Sequence, residues 1–195
     1  MIYRDMAHRH ETRSMILPDD KICIIAVISD THGKPHPNLL PILREKHPSM
    51  ILHAGDIGDL MLIKELDEVG KTVFVRGNID PAGQTWPDSI SLRIKFGKSV
   101  QFDLLLLHRA IAGVKLKKEV LNLFHQNPAQ IVVFGHSHSP FLGMEGKICL
   151  FNPGSAGPAR MRLPTTMGFI EVLSGQLKFK HLDLRTGEQW IPGPQ

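Results

Sequence analysis

The apolar positions of this chain fall into short runs, and most runs stop at a polar cluster. Ile22 to Ser29 (ICIIAVIS) is nearly all apolar and rich in β-branched residues, as a strand buried on both faces requires. Pro37 to Lys46 reads as a helix and Met50 to His53 as a second strand. Leu60 to Val69 puts Leu62, Ile63, Leu66 and Val69 on one helical face. Lys71 to Val75 is a third strand, so the first half runs βαβαβ, an order that predicts parallel strands covered by helices. In the second half, Ser91–Phe96 and Ser99–Leu107 flank Gly97-Lys98 as a hairpin. A helix from about Lys115 to His125 leads to the strand Gln130–Phe134. Short strands follow at Phe141–Met144, Lys147–Phe151, Met167–Leu173 and Leu177–Leu182, the last two joined by a Ser174-Gly175-Gln176 hairpin turn. No repeat or long linker divides the chain. The expected fold class is α/β, two packed mixed β-sheets flanked by helices, with residues 1–20 a flexible N-terminal extension and 21–195 a single domain.

Composition narrows the class without identifying a function. With 195 residues, 42% apolar and 22% charged, the chain has the balance of an ordinary globular domain. Cys23 and Cys149 sit in apolar runs at no zinc or redox spacing, so they read as core thiols and point to a reducing, cytoplasmic compartment. The run of leucines between Asp103 and His108 is too short to span a bilayer. Residues 1–20 lack the apolar core of a secretory signal. A net charge of +4 favours phosphorylated ligands through long-range attraction. The Lys115-Leu116-Lys117-Lys118 cluster reads as a solvated face, and the scattered charges outline no groove for nucleic acid.

Candidate chemistry sits at the strand ends. Asp30-Thr31-His32-Gly33 follows the first strand, Gly55-Asp56 the second and Gly77-Asn78 the third; His108 ends the leucine run, and Gly135-His136-Ser137-His138 follows Phe134. Ligands of open α/β sheets bind beyond the carboxyl ends of strands, so these clusters are expected to converge. Glycines before Asp56, Asn78 and His136 allow tight turns. Two Asp, one Asn and four His, without cysteine, suit Mn²⁺, Fe, Zn²⁺, Ni²⁺ or Co²⁺. Seven ligands suit two ions sharing a carboxylate, with Asp56 the candidate bridge. Such a pair can hold a hydroxide at neutral pH and polarise a phosphoryl oxygen. His53 reads as a supporting or core histidine. His8, His10, His36, His47, His125 and His181 read as surface residues.

The blocks SDTHG (29–33), HAGDIGD (53–59), RGNID (76–80), LLLLH (104–108), GHSHSP (135–140) and NPGS (152–155) resemble the calcineurin-like metallophosphoesterases, most closely the small single-domain phosphodiesterases of bacteria and archaea. The resemblance implies a four-layer α/β sandwich with a dinuclear site at the strand ends. It implies Asp30, His32, Asp56 and His138 around one ion, and Asp56, Asn78, His108 and His136 around the other, with Mn²⁺ the first candidate. Asp56, Asn78, His108 and His138 are then the expected catalytic residues. Asn78, Arg109, Asn152 and Arg160 are the expected substrate-binding residues. Two departures stand out. Ile79 replaces the histidine that assists the leaving group in many relatives, leaving water or Asp80 as proton source. Arg109-Ala110 replaces the Gly-His that usually follows the ligand at 108.

The expected function is phosphodiester or phosphomonoester hydrolysis of a small phosphorylated substrate. A protein-binding scaffold, as in the retromer subunit that shares this fold, and a nuclease are the alternatives. Trp86, Phe141 and Trp190, read as exposed apolar residues, mark either a homo-oligomer contact or, more commonly, ordinary packing.

Overall fold

The protein is described here from a computed structural model, which describes residues 8–17, 22–81, 85–96, 100–160, 162–173 and 176–191. Alternation of side chains along the central strands decides its layers. In β2 (Ile22–Ile28), Cys23, Ile25 and Val27 face one way and Ala26 and Ile28 the other, and all five are fully buried. Around this strand the chain runs from β1 (His10–Leu17) through α1 (Leu39–Lys46), β3 (Met50–His53), α2 (Leu60–Val69), β4 (Thr72–Phe74) and β5 (Ser89–Phe96) to β6 (Val100–Leu107). The remainder comprises β7 (Ile111–Ala112), β8 (Lys115–Leu116), α3 (Lys118–Gln126), β9 (Ile131–Val133), β10 (Phe141–Glu145), β11 (Ile148–Asn152), β12 (Thr166–Leu173), β13 (Gln176–Asp183) and β14 (Gln189–Trp190).

Two six-stranded mixed sheets result, ordered β1-β5-β6-β9-β11-β10 and β14-β13-β12-β2-β3-β4. Ile25, Val27, Leu52 and Ile170 of one sheet meet Ile90, Leu104, Leu106 and Val133 of the other in the central core. The outer face of the second sheet buries Ile28, Ile51 and Phe169 against Leu39 and Leu43 of α1 and Leu62 and Leu66 of α2. The outer face of the first buries Leu105, Leu107 and Val132 against Leu116 and Val120. The order is helix, sheet, sheet, helix: the expected four-layer sandwich. Continuous apolar runs mark strands covered on both faces, whereas β5 alternates because Arg93 and Lys95 face solvent.

Three expectations change. Residues 10–17, expected to be flexible, form β1, parallel to β5 from His10↔Ser89 to Leu17↔Phe96; Met15 and Leu17 enter the core. The helix expected from Lys115 begins at Lys118, because Gly113 (φ 64°) turns β7 back onto β8 and Lys117 stays extended. Trp86, Phe141 and Trp190, expected to be exposed, are half-buried, each with a ring contact to Phe74, Phe134 and His181 in turn. The Gly97-Lys98 and Ser174-Gly175 turns lie outside the described residues, but the strands they join are antiparallel. No helix among the described residues is long and apolar enough to cross a membrane.

Candidate metal centre

Five strands end at one place. β2, β3 and β4 are parallel neighbours in one sheet and deliver Asp30, His32, Asp56 and Asn78; β6 and β9 are parallel neighbours in the other and deliver His108, His136 and His138. The backbone there is unusual. Asp30 (φ 56°), His32 (50°), Asp56 (55°), His136 (70°) and His138 (59°) are left-handed, and the only other described non-glycine with positive φ is His47, which ends α1. Such conformations cost of order 1 kcal/mol or more each and persist where surroundings impose them. Here the loops are tied to one another: Asp30, His32 and Gly33 N–H donate to the carbonyls of Gly55, Asp56 and Ile57 at 3.0, 2.9 and 2.7 Å, and Gly135 N–H donates to His108 at 3.1 Å. Glycine is needed for approach as well as turning. A Cβ at Gly77 would overlap Asp56, and one at Gly135 would overlap Ser29 and crowd the Asp30 carboxylate.

The donors form two compact groups, Asp30 with His32 and His138, and Asp30 with Asp56 and His108. His138 Nε2 stands 3.3 Å from Asp30 Oδ1 and 3.2 Å from His32 Nε2. Asp56 points its two oxygens at different histidines, Oδ2 at His32 Nε2 (3.6 Å) and Oδ1 at His108 Nε2 (3.4 Å). The Nδ1–H of His108 donates to the Ala54 carbonyl at 2.8 Å, which turns the Nε2 lone pair toward the carboxylates. Buried Asp30 Oδ1 and His108 Nε2 nevertheless have no hydrogen-bond partner. Orphaned buried donor atoms facing one another are what a cation would satisfy. His136 belongs to neither group; it and Asn78 are exposed at the rim, with the His136 ring edge-on to His108 at 5.2 Å.

Electrostatics match. Burial raises the Asp30 carboxyl to about 6, against the pull of His108. Burial also pushes Asp56 up, but His108, the Ile79 N–H and His32 outweigh it and hold that carboxyl well below its usual range. Burial, Arg160 and His32 lower His138 to about 4, and burial likewise lowers His32 and His136. His108 moves the other way: burial disfavours its charge, yet Asp56 and Asp30 raise it. For His32, His136 and His138 the favoured form is the neutral imidazole, the state that binds a metal.

The supporting residues are definite. His53 is fully buried and lowered to about 3 by burial; its Nδ1 accepts from Gly55 N–H, leaving Nε2–H to donate to Thr31 Oγ1 at 2.9 Å. Thr31 in turn donates to the Ile57 carbonyl. Asp80, considered as a proton source, is instead a latch: its oxygens accept from Ile57, Gly58 and Gly77 N–H at 2.8–3.1 Å. Asn152, expected at the substrate, is buried; its Nδ2 holds Gly135 O and Ser137 Oγ, and its Oδ1 accepts from Gly154 N–H. Arg160 is exposed, with Nη2 3.4 Å from His32 Nε2, and Arg109 is exposed beside His108. His181 is a correction: expected at the surface, it is buried and donates from Nε2 to the Asn152 carbonyl at 2.7 Å, its ring tilted against Phe151. Only its place in the alternating run Leu177–Leu182 hinted at a strand, and nothing local marked it as inward.

Residues 24–175 match the model of the calcineurin-like phosphoesterase superfamily domain. A probable metallophosphoesterase from Mycoplasma genitalium is 30% identical over 67% of this chain and 76% of its own length. Among solved structures, a predicted phosphoesterase from Streptococcus pneumoniae is similar with TM-score 0.63, 24% identity and coverage of 87% of this chain and 93% of its own. Zinc-complexed Vps29 from Entamoeba histolytica is similar with TM-score 0.65, 23% identity and coverage of 86% and 96%.

Proposed function

Because the chain belongs to the calcineurin-like phosphoesterase superfamily, we propose that it hydrolyses phosphodiesters with two divalent transition-metal ions. Membership supports metal-dependent phosphoester hydrolysis; preference for diesters, Mn²⁺ as the ion and the role of each residue are the proposal. It rests above all on the orphaned Asp30 Oδ1 and His108 Nε2, which converge with His32 and His138 in a site closed by strained loops.

Asp30, His32, Asp56 and His138 would hold one ion, and Asp56, Asn78, His108 and His136 the other. Asp56 is the shared ligand because its oxygens face opposite histidines. Two ions held there would supply a deprotonated water at neutral pH and neutralise charge on the phosphoryl oxygens. Asn78 and His136 close the second position from the rim. Arg160, next to His32, holds a phosphate oxygen from outside, where a guanidinium can offer paired N–H groups. The leaving group takes its proton from solvent, since Ile79 has none to give and the Asp80 carboxylate is spent on backbone amides. Without general acid help, usually worth 10²–10⁴-fold, turnover is slow and favours good leaving groups. The diester preference follows from an open rim on both the Arg160 and the Asn78 sides, which accommodates two substituents on phosphorus.

The test is hydrolysis of bis(p-nitrophenyl) phosphate and p-nitrophenyl phosphate by metal-stripped protein, with Mn²⁺, Ni²⁺, Zn²⁺ or Mg²⁺ restored singly, beside His138→Ala and Asp56→Asn. Metal-dependent release from the diester, lost in both variants, is expected. No turnover with any ion despite two bound per chain would sink the enzyme reading in favour of a scaffold.

A further inference from the structure

A cleft of about 1080 Å³ borders the metal donors, with Asn78 and His108 among its lining residues. Its volume is that of a small-ligand site. Buried Leu107, Leu116 and Val120 form part of its lining, and Arg109, Lys115, Lys117 and Lys118 line it with positive charge. Among the described residues these four cations make no ion pair, whereas Arg76, also in the lining, is neutralised by Asp88 at 2.9 Å. Glu119 is the remaining acid.

The arrangement costs stability without a ligand. Lys117 and Lys118 begin α3, where the helix dipole is already positive and acidic residues would be favourable. Four uncompensated cations around one cavity repel one another. An anion in the cleft reverses both terms.

We propose that the cleft holds a second phosphate group of the substrate, so that the preferred small diester carries a further phosphate on one of its substituents. The assignment rests on the phosphoesterase reading for the position of the reacting phosphate. Arg109, Lys115, Lys117 and Lys118 select the second phosphate, and the apolar floor takes the body that links the two.

Equilibrium dialysis of the full chain as isolated, against adenosine 3′,5′-bisphosphate and adenosine 5′-monophosphate, tests this. The bisphosphate should bind about tenfold tighter, the worth of one well-placed charged contact, and the gap should narrow with added salt. The triple variant Lys115→Gln, Lys117→Gln, Lys118→Gln should abolish the gap. A control with the same charge change, Lys64→Gln, Lys71→Gln, Lys95→Gln, should keep it, which separates the cleft from net charge. Equal binding of the two nucleotides, or a preference that survives in the cleft variant, overturns the inference. So does tighter binding of a ten-residue oligothymidylate than of the bisphosphate, which would make the cleft a nucleic-acid channel. His138→Ala separates the two readings: it should lose diester hydrolysis yet retain the bisphosphate preference.

Discussion

Asp30 is under two opposed demands. It is fully buried, its Oδ2 accepts one bond from His136 N–H at 3.0 Å, and its Oδ1 has none. In the metal-free protein the folded state therefore holds the proton up to about pH 6, well above the ordinary carboxyl value of 3.8. A raised carboxyl means that the unfolded chain ionises first, so folding loses stability as pH rises between those values. Asn cannot ionise and keeps an acceptor for His136. Asp30→Asn should thus stabilise metal-free protein by up to about 3 kcal/mol above pH 6 and by little near pH 4. Urea melts at the two pH values measure it, and a gain that does not grow with pH contradicts it. With Mn²⁺ present the order should reverse, because the variant loses a ligand. The residue types were readable because metal chemistry restricts donors to a few side chains at strand ends. The left-handed backbone beneath them was not, since Asp and His adopt it only where neighbouring loops compel it. Asn152 and His181 find their partners across the fold, so nothing beside them in the chain announces their roles.

At the scale of elements, the loops after β3 and β4 depend on one carboxylate. Asp80 gathers three amides, of Ile57, Gly58 and Gly77, behind the Asp56 turn. Asp80→Ala leaves them unpaired, and each buried orphan costs about 1–3 kcal/mol. It should lower thermal stability sharply and reduce bound metal per chain, with Asp80→Asn intermediate because one acceptor oxygen remains. Unchanged metal content, read by elemental analysis, would show that the latch does not position Asp56. The edge strand β1 is separable from this machinery. Removing residues 1–17 strips Met15 and Leu17 from the core, at about 1.5–3 kcal/mol each, and leaves β5 as an open edge. The truncated chain should melt earlier and self-associate on size exclusion while still binding metal. Elements covered on both faces were plain from continuous apolar runs. β1 was not, because only its last two inward residues are apolar and buried, and the β7–β8 hairpin was hidden inside a lysine-rich stretch that also satisfies a helical pattern.

For the whole molecule, the donor set spans the sandwich. Asp30, His32 and Asp56 come from the sheet backed by α1 and α2, and His108 and His138 from the sheet backed by α3. The chain could show which strands end in donors, but not that they belong to two different sheets, because sheet membership is decided by pairings such as β2 with β12 across some 140 residues. An ion bound between the sheets is then a cross-link, and its removal is felt on both sides. At a free concentration one hundred times its dissociation constant, one ion adds about 2.7 kcal/mol to folding, or roughly 5–11 °C for a domain of this size. Chelation should lower the melting temperature by that order. It should also speed amide exchange together in the loops after β2 and β3 and in those after β6 and β9, while the β12–β13 hairpin, away from the donors, stays protected. Faster exchange confined to the loops of one sheet would mean that the ion is held by that sheet alone, and that Asp56 does not join the two halves of the site.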